Sequence, residues 1–213
     1  SMSVKADTPL NGWYEENGAK YWYENGVRQG TEGRGKEIYD PGSDAWYWLD
    51  AADNGKMAVS KDVYQESNGG KWVRYDENGH MIKGWNTNDN GTYYFDLTTG
   101  AMYKGKVIID GVSCVFDDNT GIGVDCKWLE FDGVKYWYEG GRRQGLEGRG
   151  KEIFDPASNA WYWLDAIDGG KMAVNKDVYQ ESDGGKWVRY DANGHMVKGE
   201  NLSLIHVSEP TRP

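Results

Sequence analysis

Apolar and polar positions alternate along this chain in stretches too short for a helix. Lys20 to Gly30 reads KYWYENGVRQG, Ala45 to Ser60 AWYWLDAADNGKMAVS, Lys71 to Gly84 KWVRYDENGHMIKG and Thr92 to Gly105 TYYFDLTTGAMYKG. Each gives an aromatic strand, a turn rich in Asn, Asp and Gly, and a second short strand, recurring every roughly twenty to thirty residues. Asn-Gly between β-forming residues is the strongest short-range hairpin signal, and glycine every few positions argues against a helical stripe. The pattern predicts an all-β chain, a β-hairpin repeat solenoid with about eight hairpin units, because a single hairpin is marginal in water and must stack on its neighbours. Within AWYWLD, strand alternation puts Trp46 and Trp48 on one side and Tyr47 and Leu49 on the other, so both faces are apolar. One face is expected to pack into the array, and the other to meet the next hairpin or a ligand.

A longer beat lies over the short one. The block from Lys20 to Gly84 returns from Lys135 to Gly199 without a gap, an offset of 115 residues (135 − 20). The organisation expected is a leader over 1–11, whose opening Ser-Met has the look of a cloning scar, then tandem hairpin repeats over 12–199 that contain the duplicated blocks 20–84 and 135–199. Residues 202–213, LSLIHVSEPTRP, break the repeat and resemble the translation of a transposase adapter used in sequencing libraries. Residues 200–213 are therefore expected to be a non-native tail on an assembled environmental fragment, of the kind a gut metagenome yields, which leaves room for the natural array to run past Gly199.

Composition changes the picture of the core. The 213 residues include 11 Trp, 15 Tyr and 4 Phe, whereas Leu and Ile are sparse and the mean hydropathy is strongly negative. Aromatic rings, each able to bury about 150–250 Å², must do most of the burying in a thin structure. Charge narrows the partners. A formal net charge of −10 argues against a nucleic-acid partner, which needs a basic face, and favours a cationic or neutral ligand. No run of about eighteen apolar residues is present, so membrane insertion is not expected. Cys114 and Cys126 suit a local disulfide across a hairpin in an oxidising compartment, the reading favoured here, or two small buried thiols; without a nearby His pair they make no zinc site.

Catalytic signatures are weak. Asp50, Glu66 and Asp76 each recur 115 residues on, at Asp165, Glu181 and Asp191, and duplicated acids along a repeat array read as turn-forming and solvating groups rather than an acid–base pair. His80 and His195 occupy equivalent NGHM turns and read as exposed turn residues, and His206 lies in the tail. EGRG, at Glu32–Gly35 and Glu147–Gly150, lacks the Lys-Ser/Thr and helix of a phosphate-binding loop and reads as a flexible connection between hairpins. The Asp-rich stretches NTNDNG and FDDNTG match no twelve-residue calcium loop. No enzyme activity, metal or cofactor is expected.

The stretches GWYEENGAKYWYENGVRQG, from Gly12, and GWNTNDNGTYYFDLTTGAMYKG, from Gly84, resemble the cell-wall-binding repeats of Gram-positive surface proteins, a group similar to the choline-binding modules of lysins and the glucan-binding modules of glucosyltransferases and toxins. The resemblance covers nearly all of Gly12 to Gly199. It implies a hairpin solenoid whose adjacent aromatics form shallow sites for choline or sugar. The leading Trp of the pattern matches Trp13, Trp85 and Trp128, and the central aromatics match Trp22 and Tyr23, Tyr93 and Tyr94, and Trp137 and Tyr138; Val63 and Val178 depart from the pattern where a leading Trp would stand. With the exposed-indole argument added, the candidate ligand-binding set is Trp13, Trp22, Tyr23, Trp46, Trp48, Trp72, Trp85, Tyr94, Trp128, Trp137, Tyr138, Trp161, Trp163 and Trp187. Rings of this kind stack on sugars or surround a quaternary ammonium, at about 0.5–2 kcal/mol per cation–π contact. Multiplicity on a polymer then raises avidity by about 10²–10⁴. The expected function is a non-catalytic, extracellular and cell-surface-associated module that attaches a bacterial surface or secreted protein to cell-wall polysaccharide, glucan or choline-bearing teichoic acid. The rival expectation is a spacer or adhesin array that binds a host glycan or protein.

Overall fold

The structure, a computed structural model, describes residues 8–199. Residues 1–7 of the expected leader, its Ser-Met scar included, and the whole 200–213 tail lie outside the described residues. Strands dominate, and the described residues contain no α-helix, only four 3-10 turns. None of these is long and apolar enough to cross a membrane.

The chain divides into two compact units, one running to Asp89 and taking in Tyr93–Tyr103, the other comprising Asn90–Thr92 and the chain from Lys104 on. The first unit opens with β1 (Gly12–Glu16), β2 (Ala19–Glu24) and β3 (Val27–Arg28), followed by β4 (Gly35–Asp40), β5 (Ala45–Asp50) and β6 (Lys56–Met57). Each trio forms its own antiparallel sheet in chain order. The pairs β7 (Lys61–Gln65) with β8 (Lys71–Tyr75) and β9 (Gly84–Asn88) with β10 (Gly91–Phe95) follow. In the second unit β11 (Gly105–Ile109), β12 (Val112–Phe116), β13 (Lys127–Phe131), β14 (Val134–Glu139) and β15 (Arg142–Arg143) make one five-stranded sheet in the order β11-β12-β15-β14-β13. Then come the three-stranded β16 (Gly150–Asp155), β17 (Ala160–Asp165), β18 (Lys171–Met172) and the pair β19 (Lys176–Gln180), β20 (Lys186–Tyr190).

Turn chemistry sets the register. Asn17-Gly18, Asn25-Gly26, Asp110-Gly111 and Asp132-Gly133 all take positive φ at both positions, the two-residue turn whose twist matches the strands it joins. The β1–β2 turn thereby places Trp13 directly opposite Trp22, and the β13–β14 turn places Trp128 opposite Trp137.

The cores are small and rich in rings, as the composition requires. Ile38, Ala45, Tyr47, Leu49 and Met57 form one cluster with Trp13 and Trp22 against it, and Trp48, Ala58, Val63, Val73 and Tyr75 form the next with Met81. The second unit repeats both, with Ile153, Tyr162, Leu164 and Met172 under Trp128, and with Trp163, Val178, Val188 and Tyr190 beside Met196. Val63 and Val178, which depart from the leading-Trp pattern, are thus core residues.

The disulfide is not formed. Cys114 is buried and donates to the Val112 carbonyl at 3.6 Å, whereas Cys126 is exposed; both are free thiols. The alternative of two buried thiols fails as well, because Cys126 is exposed, at a bend position with positive φ. Burial pushes the Cys114 thiol up, and a hydrogen bond with Asp125 raises that of Cys126.

Candidate functional site

In the first unit the opening hairpin and the next sheet meet at an aromatic corner. Trp13 stands edge-on to Trp22, with ring centroids 5.0 Å apart at 75°, and edge-on to Tyr47 at 4.8 Å and 71°. Tyr47 in turn meets His80 at 5.3 Å and 88°. The ladder therefore draws on β1, β2, β5 and the turn after β8. A cavity of about 510 Å³ opens beside it, lined by Trp13, Tyr47, Met57 and His80, with Lys20, Lys56 and Glu77 also on its wall.

The rings are held from behind. The Trp13 indole N–H donates to Asp40 at 3.0 Å, and Asp40 also accepts from the Gly42 N–H at 2.9 Å and the Ser43 hydroxyl at 3.0 Å. That donor set, led by the indole, holds the Asp40 carboxyl below the usual carboxylate range. The Ser43 hydroxyl shares a 2.8 Å hydrogen bond with the Tyr47 hydroxyl, so one Asp–Ser pair orients two walls of the pocket. Rotamers fixed in this way leave the edge-on geometry preorganised before any ligand arrives.

The second unit builds the same corner. Trp128 meets Trp137 at 5.0 Å and 69°, and Tyr162 at 4.7 Å and 67°, while Tyr162 meets His195 at 5.2 Å and 89°. Asp155 accepts from the Trp128 indole at 3.1 Å and from Ser158, which shares a hydrogen bond with Tyr162. The cavity there is about 620 Å³ and includes Met172, Lys135 and Lys171. A third edge-on pair, Trp85 with Tyr94 at 5.0 Å and 72°, continues to Tyr103 at 5.0 Å, whose hydroxyl donates to Asp96 at 2.7 Å. A larger groove of about 670 Å³, lined by Arg142, Arg143 and Lys151 among others, presents no aromatic ring.

The fourteen candidate aromatics separate by burial. Trp13, Trp22 and Trp128 stand half-buried at the two corners, and Tyr23, Trp85 and Trp187 are half-buried as well. Trp46, Trp72 and Trp161 are the most open, at 37%, 39% and 36% exposure. Trp46 and Trp161 each lie 5.2 Å from a neighbouring ring, Tyr39 and Phe154, while Trp72 and Trp187 pair with Tyr64 and Tyr179. Trp48, Trp163, Tyr94, Trp137 and Tyr138 are buried, and Tyr138 has no exposed surface at all. As packing residues in this structure, they do not offer a ring face to solvent. The reason is their cover: the following hairpin closes over Trp48 and Trp163, and β12, which pairs with β15, closes over Tyr138.

Sequence reasoning missed Tyr47, Tyr162, Met57, Met172 and both histidines as site residues. His80 and His195 are half-buried wall residues rather than exposed turn residues, because the NGHM turn folds back onto the preceding sheet through the Met81 N–H to Trp46 carbonyl bond at 2.9 Å and its counterpart from Met196 to Trp161. The duplicated NGHM was the signal. Asp76 and Asp191 do serve their turns, each accepting two backbone N–H bonds, whereas Glu66 and Glu181 form exposed ion pairs with Arg34 and Arg149.

Residues 65–106 match the choline-binding repeat family. Choline binding protein F from Streptococcus pneumoniae superposes with a TM-score of 0.58 at 24% identity, covering 89% of this chain and 58% of that one. CbpJ from Streptococcus pneumoniae gives 0.60 at 22%, over 88% of this chain and 58% of that one, and the choline-binding domain of CbpL from the same organism gives 0.57 at 23%, over 88% and 87%. No curated protein matches the chain. The fold and the corners thus define the class, an all-β array of aromatic hairpin repeats. Its match to the choline-binding repeat lies in residues 65–106, and its fold is shared with the choline-binding structures. The chain spans 58% of the length of choline binding protein F and of CbpJ.

Proposed function

We propose that this chain is a non-catalytic binding module that attaches a bacterial surface or secreted protein to the cell wall by gripping the quaternary ammonium of choline on a wall polymer, and that it works at the cell surface. The observation that carries this reading is the duplicated corner: Trp, Trp and Tyr edges at 4.7–5.0 Å with Met57 or Met172 below, beside an open cavity, in both units. A quaternary ammonium has no N–H to donate, so only ring faces, a soft thioether and diffuse negative charge can hold it, and desolvated cation–π contacts of about 2 kcal/mol each reach millimolar affinity with two or three walls. The net charge of −10 adds a favourable long-range field. The choline-binding repeat match and the likeness in fold to choline-binding proteins support the same ligand.

The test is calorimetric titration with choline, with tryptophan fluorescence alongside. The expected result is a millimolar dissociation constant, weakened at least tenfold in the Trp13→Ala/Trp128→Ala double variant while far-ultraviolet circular dichroism stays unchanged. Binding to glucans or to a secreted host protein that choline does not compete, with no heat from choline itself, would overturn the reading.

A further inference from the structure

The two corners are an internal comparison. Their rings, methionines, histidines and the Asp–Ser supports behind them are the same in both units, and so are the lysines on the wall, Lys20 and Lys56 in one and Lys135 and Lys171 in the other. Among the wall positions one changes charge: Glu77 of the first pocket is Ala192 of the second. Both are exposed. Asp155, which also lines the second pocket, has its counterpart in Asp40, each accepting a hydrogen bond from its Trp indole, so the first pocket sets Glu77 as a further carboxylate against its two ammonium groups and the second has no such further carboxylate.

A cation bound against the rings feels the wall charge. Two lysines beside a bare ammonium are repulsive, but they attract an anionic group attached to it, and a carboxylate in the same wall weakens both effects. We propose that residues 77 and 192 make the two pockets unequal in ligand charge, so that the second selects a quaternary ammonium carrying an anionic group, as a phosphate ester does, while the first accepts the bare cation more readily. This rests on the quaternary-ammonium reading above. The groups are solvent-facing, so the effect is a few-fold and salt-dependent.

The indole N–H of Trp13 and that of Trp128 each report their own pocket, which allows both to be followed at once by nitrogen-15 NMR of the full chain during titration with choline or with phosphocholine. At low salt the preference for phosphocholine over choline is expected to be about 2–5-fold larger at Trp128 than at Trp13, and to converge in about 1 M salt. Glu77→Ala should bring the Trp13 pocket to the Trp128 preference, and Ala192→Glu should do the reverse; neither side chain is packed, so the fold is kept. If both indoles shift with choline but share one preference that neither substitution moves, the charge assignment fails and the ammonium reading survives. If neither indole shifts with either compound, both fail.

Discussion

Gly33 and Gly35 lie two residues apart in one connection, both at positive φ, +60° and +140°, yet their surroundings differ. A Cβ on Gly33 meets nothing within 4 Å, while one on Gly35 would stand 2.2 Å from the Leu49 carbonyl oxygen and 2.9 Å from the Trp48 ring. Gly33→Ala is accordingly expected to lower stability by about 1 kcal/mol through its dihedral alone, and Gly35→Ala by roughly 2–4 kcal/mol because backbone must also move. Urea unfolding of the two variants checks this, and equal losses would contradict it. The connection that reads as a flexible EGRG linker is in this respect a close contact. The same scale shows where sequence reasoning stopped with the rings. Alternation correctly puts Trp46 and Trp48 on one face of β5, but one is open and the other sealed. The difference comes from Val63, Val73 and Tyr75, which cover only Trp48.

At the scale of elements, the hairpin exits share a device. Asp76, Asp96, Asp117 and Asp191 each follow a strand and accept backbone N–H groups from the next turn. In Asp96 the Thr99 and Thr98 N–H groups and the Tyr103 hydroxyl converge at 2.8, 2.9 and 2.7 Å, and they hold the carboxyl at about 2, the Thr99 bond contributing most. A folded pKa depressed below the unfolded value near 3.9 gives stability that is complete above that value and lost as pH falls toward 2. Asp96→Asn, which keeps an acceptor but does not titrate, is therefore expected to show a shallower loss of urea midpoint between pH 4 and pH 2 than the parent chain. An unchanged slope would mean that Asp96 is not linked to folding. These turns were legible as Asp-rich punctuation. Which acid caps and which pairs with Arg was not, because Glu66 finds Arg34 only through the fold.

At the scale of the molecule, the duplication supplies two corners on one chain. A polymer that displays the ligand repeatedly turns the second contact into an intramolecular one, so affinity for a surface exceeds affinity for a free ligand. On choline-coated beads, Trp13→Ala and Trp128→Ala are each expected to cut retention by about tenfold or more, and the double variant to abolish it. If a single substitution abolished retention, only one pocket would be acting. Part of this was readable beforehand: the 115-residue offset announced that any site would come twice. The site's make-up was not readable. Trp13 and Tyr47 are 34 positions apart (47 − 13), and His80 is a further 33 away (80 − 47), so no local pattern joins them.

The sequence alone determined the hairpins, their turns, the duplication and the aromatic nature of the core. These follow from local physics, since positive φ at Asn-Gly and Asp-Gly and the two-residue period of a strand act within a few residues. Tertiary structure decided which rings pack and which remain open, that Cys114 and Cys126 stay apart, and that histidine and methionine join the corner. Burial is a property of what lies on top of a residue. Tyr23 and Tyr138 hold equivalent places in equivalent hairpins, yet one is half-buried and the other sealed, because only the second has a strand, β12, laid against its sheet.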